Sequence, residues 1–180
     1  MYTVSFKTSN PIKTDNIIYA VNRFLPDDIS VNAAREVPDD FNARYSCTAK
    51  EYIYKIWNHR IRNPFMYKYA LHYWYNLDVE LLNETAKQFI GTHDFTSFAT
   101  LDARNPKNMT RTIHNFEVYR TDKLVEMKVS ANGFLYNMVR IMVGTLLEVG
   151  MGKRNSDEIP LLFGQKRERP DSLYRLRACA

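Results

Sequence analysis

The stretch TRTIHNFEVYR (residues 110–120), with TDK and LVEMKVSA (residues 124–131) after it, decides the fold of this chain. Apolar and polar residues roughly alternate in both segments, which is typical of strands with one buried face. The short connection predicts an antiparallel hairpin. The next segment, LYNMVRIMVGTLLEV (residues 135–149), is strongly apolar and precedes Gly150, which predicts a buried helix that ends there.

Elsewhere the patterns alternate between strand and helix. The segment KEYIYKIWN (residues 50–58) predicts a strand with Tyr52, Tyr54 and Ile56 on one face. Asp78 precedes a segment of helical apolar spacing that stops at Gly91, which predicts a capped helix. Four further elements are expected: a strand over residues 2–6, a helix with Thr14 as its N-cap, a strand over residues 29–37 and a short helix over residues 157–163. The mixture predicts an α+β fold built on one shared sheet.

Composition limits the classes of function. A chain of 180 residues with 45% hydrophobic and 25% charged residues has the composition of a folded protein, not of a disordered one. No apolar run reaches the roughly 18 residues that a membrane helix needs, and the first residues lack a signal-peptide pattern. Cys47 and Cys179 are too few for a disulfide framework, and the four histidines lack the spacing of metal ligands. We therefore expect no metal site, and we expect the protein to be located in a reducing cytosol.

The charge pattern leaves two alternatives open. A net charge of +5 and a pI of about 9.1 fit a solvated basic surface as well as an RNA-binding one. The 12 Tyr and 10 Phe residues, many beside Lys or Arg, slightly favour a protein that stacks on bases. Core packing could use the same residues.

One arginine interrupts the apolar helix predicted over residues 135–149. An Arg140 guanidinium removed from water without a partner would be costly, so we expect a carboxylate, a phosphate or an opening to water beside it. Asn137, Arg140 and Gly144 have the spacing i, i+3 and i+7, which predicts one stripe that a ligand could approach. The alternative is a helix that extends its single charge to solvent.

Tyr52 and Tyr54 on the strand over residues 50–58 also allow two interpretations. Core packing with the hydroxyl groups at the edge is the simpler one. The other is an aromatic platform beside a cleft, with the polar segment NARYS (residues 42–46) placed to meet phosphate or sugar.

Four blocks in register resemble the tRNA pseudouridine synthase A family over about residues 2–163. They are NARYSCTAKEYIYKIWN (42–58), GTHDFTSF (91–98), TRTI (110–113) and NMVRIMVG (137–144), the last of which is followed by LEVG (147–150). The resemblance implies a pseudouridine synthase-like fold: a mostly antiparallel mixed sheet, helices packed on one side, and two ferredoxin-like halves with the first truncated.

The resemblance also implies an activity and a set of site residues. The family isomerises uridine to pseudouridine in the anticodon stem-loop of tRNA, without metal or organic cofactor, and forms homodimers. Its nucleophile is the aspartate of a Gly-Arg-Thr-Asp loop. By resemblance Tyr52 stacks on the target base, Arg140 pairs with that aspartate, and Arg44 and Arg111 contact the RNA. The base must be extruded from the arm, and an aromatic face suits a base that has lost its stacking neighbours.

Two departures from the family pattern set further expectations. The Gly-Arg-Thr-Asp loop belongs just before the segment that opens this sequence, so we expect the chain to lack the nucleophile and to be inactive alone. The string Arg120-Thr121-Asp122 lacks the flanking residues of that loop, and we interpret Asp122 as a turn residue. The alternatives are a non-catalytic tRNA-binding remnant and a non-functional gene fragment.

The domain organisation follows from the same resemblance. We expect residues 1–48 to be the remainder of the N-terminal half and residues 49–163 to be the C-terminal half. We expect residues 164–180 to be a divergent basic tail, because we cannot align them with the short final strand of the family.

Overall fold

The computed structural model describes residues 2–100 and 108–165 of the chain. These residues divide into two compact units, with the division between Cys47 and Thr48. Most of the predicted basic tail, and Cys179 with it, lies outside the described residues.

The first unit contains a single helix, α1 (Thr14–Asn22), within residues 2–47. Lys13 occupies the N-cap position and makes no side-chain capping bond. The prediction of Thr14 as the cap is therefore wrong, because Thr14 is already the first helical residue. The helix buries none of its residues, and Tyr19 is 76% exposed.

The strands predicted over residues 2–6 and 29–37 do not form. A strand needs a paired neighbour, and Tyr2, Val4 and Phe6 remain exposed without one. In the second segment the Asn22 side chain takes the backbone groups that a ladder would use. Its Oδ1 accepts from Val31 N–H at 2.7 Å, and its Nδ2 donates to Val31 C=O at 2.9 Å.

The second unit is built on a five-stranded mixed sheet with the order β2-β1-β5-β4-β3. Its strands are β1 (Lys50–Asn58), β2 (Leu71–Tyr73), β3 (Gly91–Asp94), β4 (Thr110–Thr121) and β5 (Leu124–Ala131). Of the four strand pairs in the described residues, only β1–β2 is parallel. The predicted hairpin and the predicted strand over residues 50–58 are confirmed, as is the α+β class.

The one Arg-Thr-Asp string in the sequence, residues 120–122, lies at the hairpin turn between β4 and β5. Thr121 pairs with Leu124, and Asp122 between them has a φ of 53°. Asp tolerates this left-handed conformation better than most residues. Asp122 is a turn residue, as predicted.

One face of the sheet carries the core and the other carries charge. Along β5 the buried residues alternate, and they share one apolar cluster with residues of the helices α2 (Val79–Lys87) and α3 (Met138–Gly150). The opposite face has the ion pairs Lys55–Glu126 at 3.3 Å and Lys128–Glu51 at 3.2 Å. The helices therefore pack on a single side of the sheet.

The helix bounds differ from the predicted ones at three points. Asp78 caps α2 by accepting from Leu81 N–H at 2.9 Å, as predicted, but the helix ends at Lys87 and a tighter turn leads on to Gly91. Helix α3 starts at Met138 because Asn137 has a φ of 59°, which no α-helix accommodates. The short helix predicted over residues 157–163 is two 3₁₀ turns, since Pro160 has no N–H to continue an α-helix.

Helix α3 supplies much of the core. Ten of its residues are buried, whereas Val139 and Arg140 in its first turn are only half-buried. None of the helices in residues 2–100 and 108–165 is long and apolar enough to cross a membrane.

Candidate functional site

Three of the four predicted site residues lie on elements that start at one end of the sheet. Strand β1 begins with Lys50, which is opposite Ala131 at the end of β5, and Ile113 near the start of β4 pairs with the same residue. Residues 132–137 then lead from β5 into α3. The topology thus places the start of β1, the start of β4 and the start of α3 around one short loop.

Tyr52 projects from the start of β1 and is 50% exposed. Its ring meets the Phe134 ring edge-on, with centroids 5.1 Å apart and planes at 88°. This geometry is favourable for two aromatic rings, and it holds Tyr52 while leaving much of it open. Tyr54, two residues on, packs against the apolar core. The two tyrosines therefore separate into a core residue and an exposed ring.

Arg111 lies on the other side of the same loop. Its Nη1 donates to the carbonyl groups of Asn108 at 3.1 Å and Thr110 at 2.6 Å. The side chain passes close to Gly133, where an added Cβ would lie 3.7 Å from Nε. Burial lowers the pKa of the Arg111 guanidinium, which nonetheless stays charged at neutral pH.

A reciprocal pair of hydrogen bonds fixes this loop against β4. Thr112 N–H donates to Asn132 Oδ1 at 3.0 Å, and Asn132 N–H donates to Thr112 C=O at 3.1 Å. Residues 133 and 134, which face Arg111 and Tyr52, follow directly. Sequence reasoning missed Asn132, Gly133 and Phe134, although an Asn-Gly pair after a strand is a turn signal that could have located them.

Arg140 is the third residue of α3, not a residue of a helix interior as predicted. Its side chain has no hydrogen bond, ion pair or ring contact with any residue in the described part of the chain. It is half-buried in the first turn. The predicted stripe with Asn137 and Gly144 does not form on the helix, since Asn137 precedes it and Gly144 is fully in the core.

The start of α3 favours an anion. The first α-helical bond runs from Ile141 N–H to Asn137 C=O, so the N–H groups of Val139 and Arg140 need acceptors from outside the helix. The helix dipole adds partial positive charge at the same place. Asn137 is held by its Nδ2, which donates to Thr100 Oγ1 at 3.1 Å. A guanidinium beside a helix N-terminus is an arrangement that suits a carboxylate or a phosphate.

The fourth predicted residue, Arg44, belongs to the first unit. Asn42 organises the turn around it, because its Oδ1 accepts from the N–H groups of Arg44 at 3.0 Å and Tyr45 at 3.3 Å. Ser46 Oγ in turn accepts from Asn42 N–H. The exposed Arg44 guanidinium lies 5.7 Å from the centroid of the Tyr45 ring. The polar turn thus presents a cation on an aromatic ring.

No group of three or more His, Cys, Asp or Glu side chains that could hold a metal ion is found in residues 2–100 and 108–165. Asp122 lies at the other end of β1 from Tyr52, because Leu124 pairs with Trp57. At about 3.3 Å per residue this end is roughly 17 Å from Tyr52. Asp122 and Tyr52 therefore cannot act on the same base.

Comparison with known proteins finds one matching family model, described as tRNA pseudouridine synthase, over residues 85–178. A curated relative from Bacillus cereus, named tRNA pseudouridine synthase A 2, is 41% identical over 162 residues, which are 90% of this chain and 66% of that protein. Proteins named tRNA pseudouridine synthase A from Acetivibrio thermocellus and Staphylococcus carnosus are 42% and 44% identical. Those two alignments cover 92% and 89% of this chain, and 68% and 60% of the relatives. The chain thus spans about two thirds of the length of the curated relatives it matches.

Proposed function

The chain belongs to the tRNA pseudouridine synthase family, and on that premise we propose that it serves the isomerisation of uridine to pseudouridine in the anticodon stem-loop of tRNA. The observation that carries the proposal is the exposed Tyr52 ring, which contacts Phe134 at the end of the sheet where α3 begins and has Arg140 in its first turn. In this proposal the protein acts in the cytoplasm as a homodimer and uses neither a metal nor an organic cofactor.

Tyr52 is proposed to hold the target base. An extruded uracil loses its stacking neighbours, and an aromatic ring restores one of them. The edge-on contact with Phe134 leaves the Tyr52 ring half-exposed, and it limits the ring's freedom before any base arrives. Less ordering is then needed on binding.

Arg140 is proposed to hold the nucleophilic aspartate of the family. Within the described residues its side chain has no acidic partner, and it lies beside N–H groups that need acceptors. A carboxylate placed there would gain a charge-assisted hydrogen bond and the favourable end of the helix dipole. Both effects favour the ionised carboxylate, which is the form that attacks.

Arg111 and Arg44 are proposed to contact the RNA backbone. Arg111 is anchored through Nη1 at the start of β4, on the other side of the loop whose Phe134 contacts Tyr52. Arg44 is exposed and held over Tyr45 by the Asn42 turn. Such contacts position the substrate and contribute salt-dependent affinity.

The net reaction transfers the ribose C1′ from N1 to C5 of the same uracil. The C1′–N1 glycosidic bond breaks, the uracil turns, and a C1′–C5 bond forms. C5 then loses its proton, N1 gains one, and the carboxylate leaves unchanged. No redox partner is needed, and the hydrogen released from C5 gives a direct measure of turnover.

We further propose that these 180 residues alone do not catalyse the isomerisation. The sequence contains no Gly-Arg-Thr-Asp string, and Asp122 is too far from Tyr52 to replace its aspartate. Tyr52 can hold a base and Arg140 can hold an anion, but neither supplies a carboxylate.

The test is tritium release from tRNA labelled at C5 of uridine. We expect none from the 180-residue chain, and release when a segment bearing the Gly-Arg-Thr-Asp loop of a relative is fused to its start. In the fusion protein, Tyr52→Ala should abolish tritium release, and Tyr52→Phe should still bind tRNA. Tyr54→Phe is the matched control. Release by the chain alone would refute the proposed inactivity and would require a carboxylate from within this sequence.

A tRNA-binding protein without catalysis is the second candidate, favoured by the lack of that carboxylate. It predicts salt-dependent tRNA binding that weakens in Arg111→Gln, with no release even in the fusion protein.

A further inference from the structure

A second surface lies at the far end of β1 from Tyr52 and has no part in the proposed chemistry. It is formed by the segment that follows β1, residues 59–75, which includes the edge strand β2. We propose that this surface, called the 59–75 surface below, binds unpaired nucleotides of an RNA. The inference rests on the proposed function only in expecting that RNA to be the tRNA substrate.

The 59–75 surface exposes an unusual share of its aromatic rings. Large rings normally contribute to a core, since each buries considerable apolar area. Here five of them are more than half exposed: Phe65 at 88%, Tyr67 at 70%, Tyr69 at 66%, Tyr75 at 57% and Trp74 at 56%. Trp74 and Tyr75 contact each other, with ring centroids 5.4 Å apart. This concentration of exposed aromatic rings in one short segment is typical of an interaction surface.

The backbone beneath these rings is held in place by side-chain hydrogen bonds. Asn58 Nδ2 donates to the carbonyl groups of Tyr73 at 2.9 Å and Tyr75 at 2.7 Å. Trp57 Nε1 donates to Ile61 C=O at 3.0 Å, and Asn63 Oδ1 accepts from Phe65 N–H at 3.0 Å. The rings thus project from a fixed frame, which reduces the ordering that binding would require.

The charged residues of this segment are all basic. From Tyr52 to Leu77 the sequence contains no Asp or Glu, and the 59–75 surface presents the exposed cations Arg60, Arg62 and Lys68. None of the three forms an ion pair with a described residue. A polyanion is the partner that fits such a surface.

RNA explains both features better than a second copy of this chain does. A symmetric pairing of the 59–75 surface with itself would bring like charges together, which opposes association. Aromatic rings interleaved with cations are the arrangement that binds unpaired nucleotides, because rings stack on bases while cations meet phosphates. The rings are also of the types that stack on RNA bases.

The two surfaces are far enough apart for separate contacts. Asn58 is six residue steps after Tyr52, about 20 Å along β1. A single RNA that places a base on Tyr52 could then meet the 59–75 surface with a different nucleotide.

The test measures RNA binding by fluorescence anisotropy over a range of salt concentrations, with a single-stranded oligouridylate and an unmodified tRNA transcript as probes. For Arg60→Gln/Arg62→Gln we expect weaker oligouridylate binding and a salt slope smaller by about 1.4, the value for two lost single-strand phosphate contacts. For Phe65→Ala/Tyr69→Ala we expect about fivefold or greater loss per ring with the slope unchanged. Matched controls are Lys87→Gln/Lys153→Gln for charge and Tyr19→Ala/Phe24→Ala for exposed rings.

The outcomes separate this inference from the proposed function. If both surface variants bind oligouridylate and tRNA as the parent does, the inference is overturned, whatever the tritium assay shows. If Phe65→Ala/Tyr69→Ala instead turns a dimer into a monomer with RNA affinity unchanged, the surface joins two copies of the chain and the inference is again overturned. Oligouridylate binding that depends on the surface, together with a fusion protein that neither prefers tRNA nor releases tritium, supports the inference and refutes only the proposed function.

Discussion

The two units of this chain contain similar side chains but use them differently. Residues 2–47 leave Tyr2, Val4, Phe6, Tyr19 and Phe24 exposed, and their one helix buries nothing. In the unit that starts at Thr48 the rings of the 59–75 surface also stay exposed, but the rings that the sheet and its helices cover pack together, with Phe89 contacting the rings of Phe98, Phe116 and Phe163. An apolar residue stabilises a fold only where partner elements cover it, and the sheet with α2 and α3 provides that cover.

Replacement of matched phenylalanines should show the largest difference between the units. Phe89→Ala removes a fully buried ring and should lower the free energy of unfolding by about 3–5 kcal/mol. Phe24→Ala, at a ring that is 86% exposed, should change it by less than about 0.5 kcal/mol. Urea unfolding followed by far-UV circular dichroism gives both values. Equal losses would break the comparison.

The helix starts give a second and smaller contrast. Asp78→Ala removes the carboxylate that caps α2 and should cost about 1 kcal/mol. Thr14→Ala in α1 removes no cap, because Lys13 holds that position without a side-chain bond, and should cost no more than a few tenths of that. The same unfolding measurement applies. A Thr14→Ala loss as large as that of Asp78→Ala would show that the hydroxyl of Thr14 has a partner in solution.

Sequence patterns predicted the second unit well because its signals are local and agree with each other. The alternation over residues 110–131 matches a hairpin that is paired in that register, and Asp78 is a cap both by type and by geometry. The predictions failed where a non-local contact decides. The Asn22 side chain occupies the backbone groups of Val31, and no spacing of apolar residues encodes that bond.

The candidate site was predictable in its residue types more than in its geometry. The resemblance named Tyr52, Arg111 and Arg140, and the topology places all three on elements that start at one end of the sheet. The left-handed Asn137, which moves Arg140 from a helix interior to a first turn, is bonded to Thr100, 37 residues earlier in the chain, and could not be read from periodicity. Phe134 was missed because it lies between elements, where no period applies.

Tyr73 sharpens the comparison by marking a defect inside the well-packed unit. Its hydroxyl is buried without a hydrogen-bond partner among the described residues, and burial, followed by the nearby Tyr75, raises its pKa. Tyr73→Phe should therefore raise the free energy of unfolding by about 1 kcal/mol at neutral pH. Burial alone does not make a residue stabilising. This substitution keeps the buried ring and removes the buried hydroxyl, so it measures the cost of the hydroxyl by itself.

The same group predicts a pH dependence. Because the folded protein keeps the Tyr73 phenol neutral, the effect of this group on the free energy of unfolding is constant below the unfolded-state pKa of about 10. Above that pH the unfolded chain loses the phenol proton more readily than the folded protein does, so the free energy of unfolding falls. The decline in stability above pH 10 should be shallower in Tyr73→Phe than in the parent. Tyr19→Phe, at an exposed ring of the first unit, is the control for the removal of a phenol hydroxyl. Parallel curves for Tyr73→Phe and the parent would contradict the assignment.

The smallest expected effect is that of replacing Arg140 at the start of α3. Arg140 places a cation at the positive end of the helix dipole without an acidic partner in the described residues, so Arg140→Met should leave stability unchanged or raise it by about 0.3–1 kcal/mol at low salt. The gain should shrink as salt is added, and Arg140→Lys, which keeps the charge, should show none. Arg154, just beyond the other end of α3, is the opposite case, since it donates to Glu148 at 3.1 Å and Glu158 at 3.2 Å. Arg154→Met should cost about 1–3 kcal/mol, because it leaves the buried Glu148 without that bond. A loss of more than about 1 kcal/mol in Arg140→Met would show that the guanidinium already stabilises the fold, and the start of α3 would then no longer be a place kept for an anion from outside.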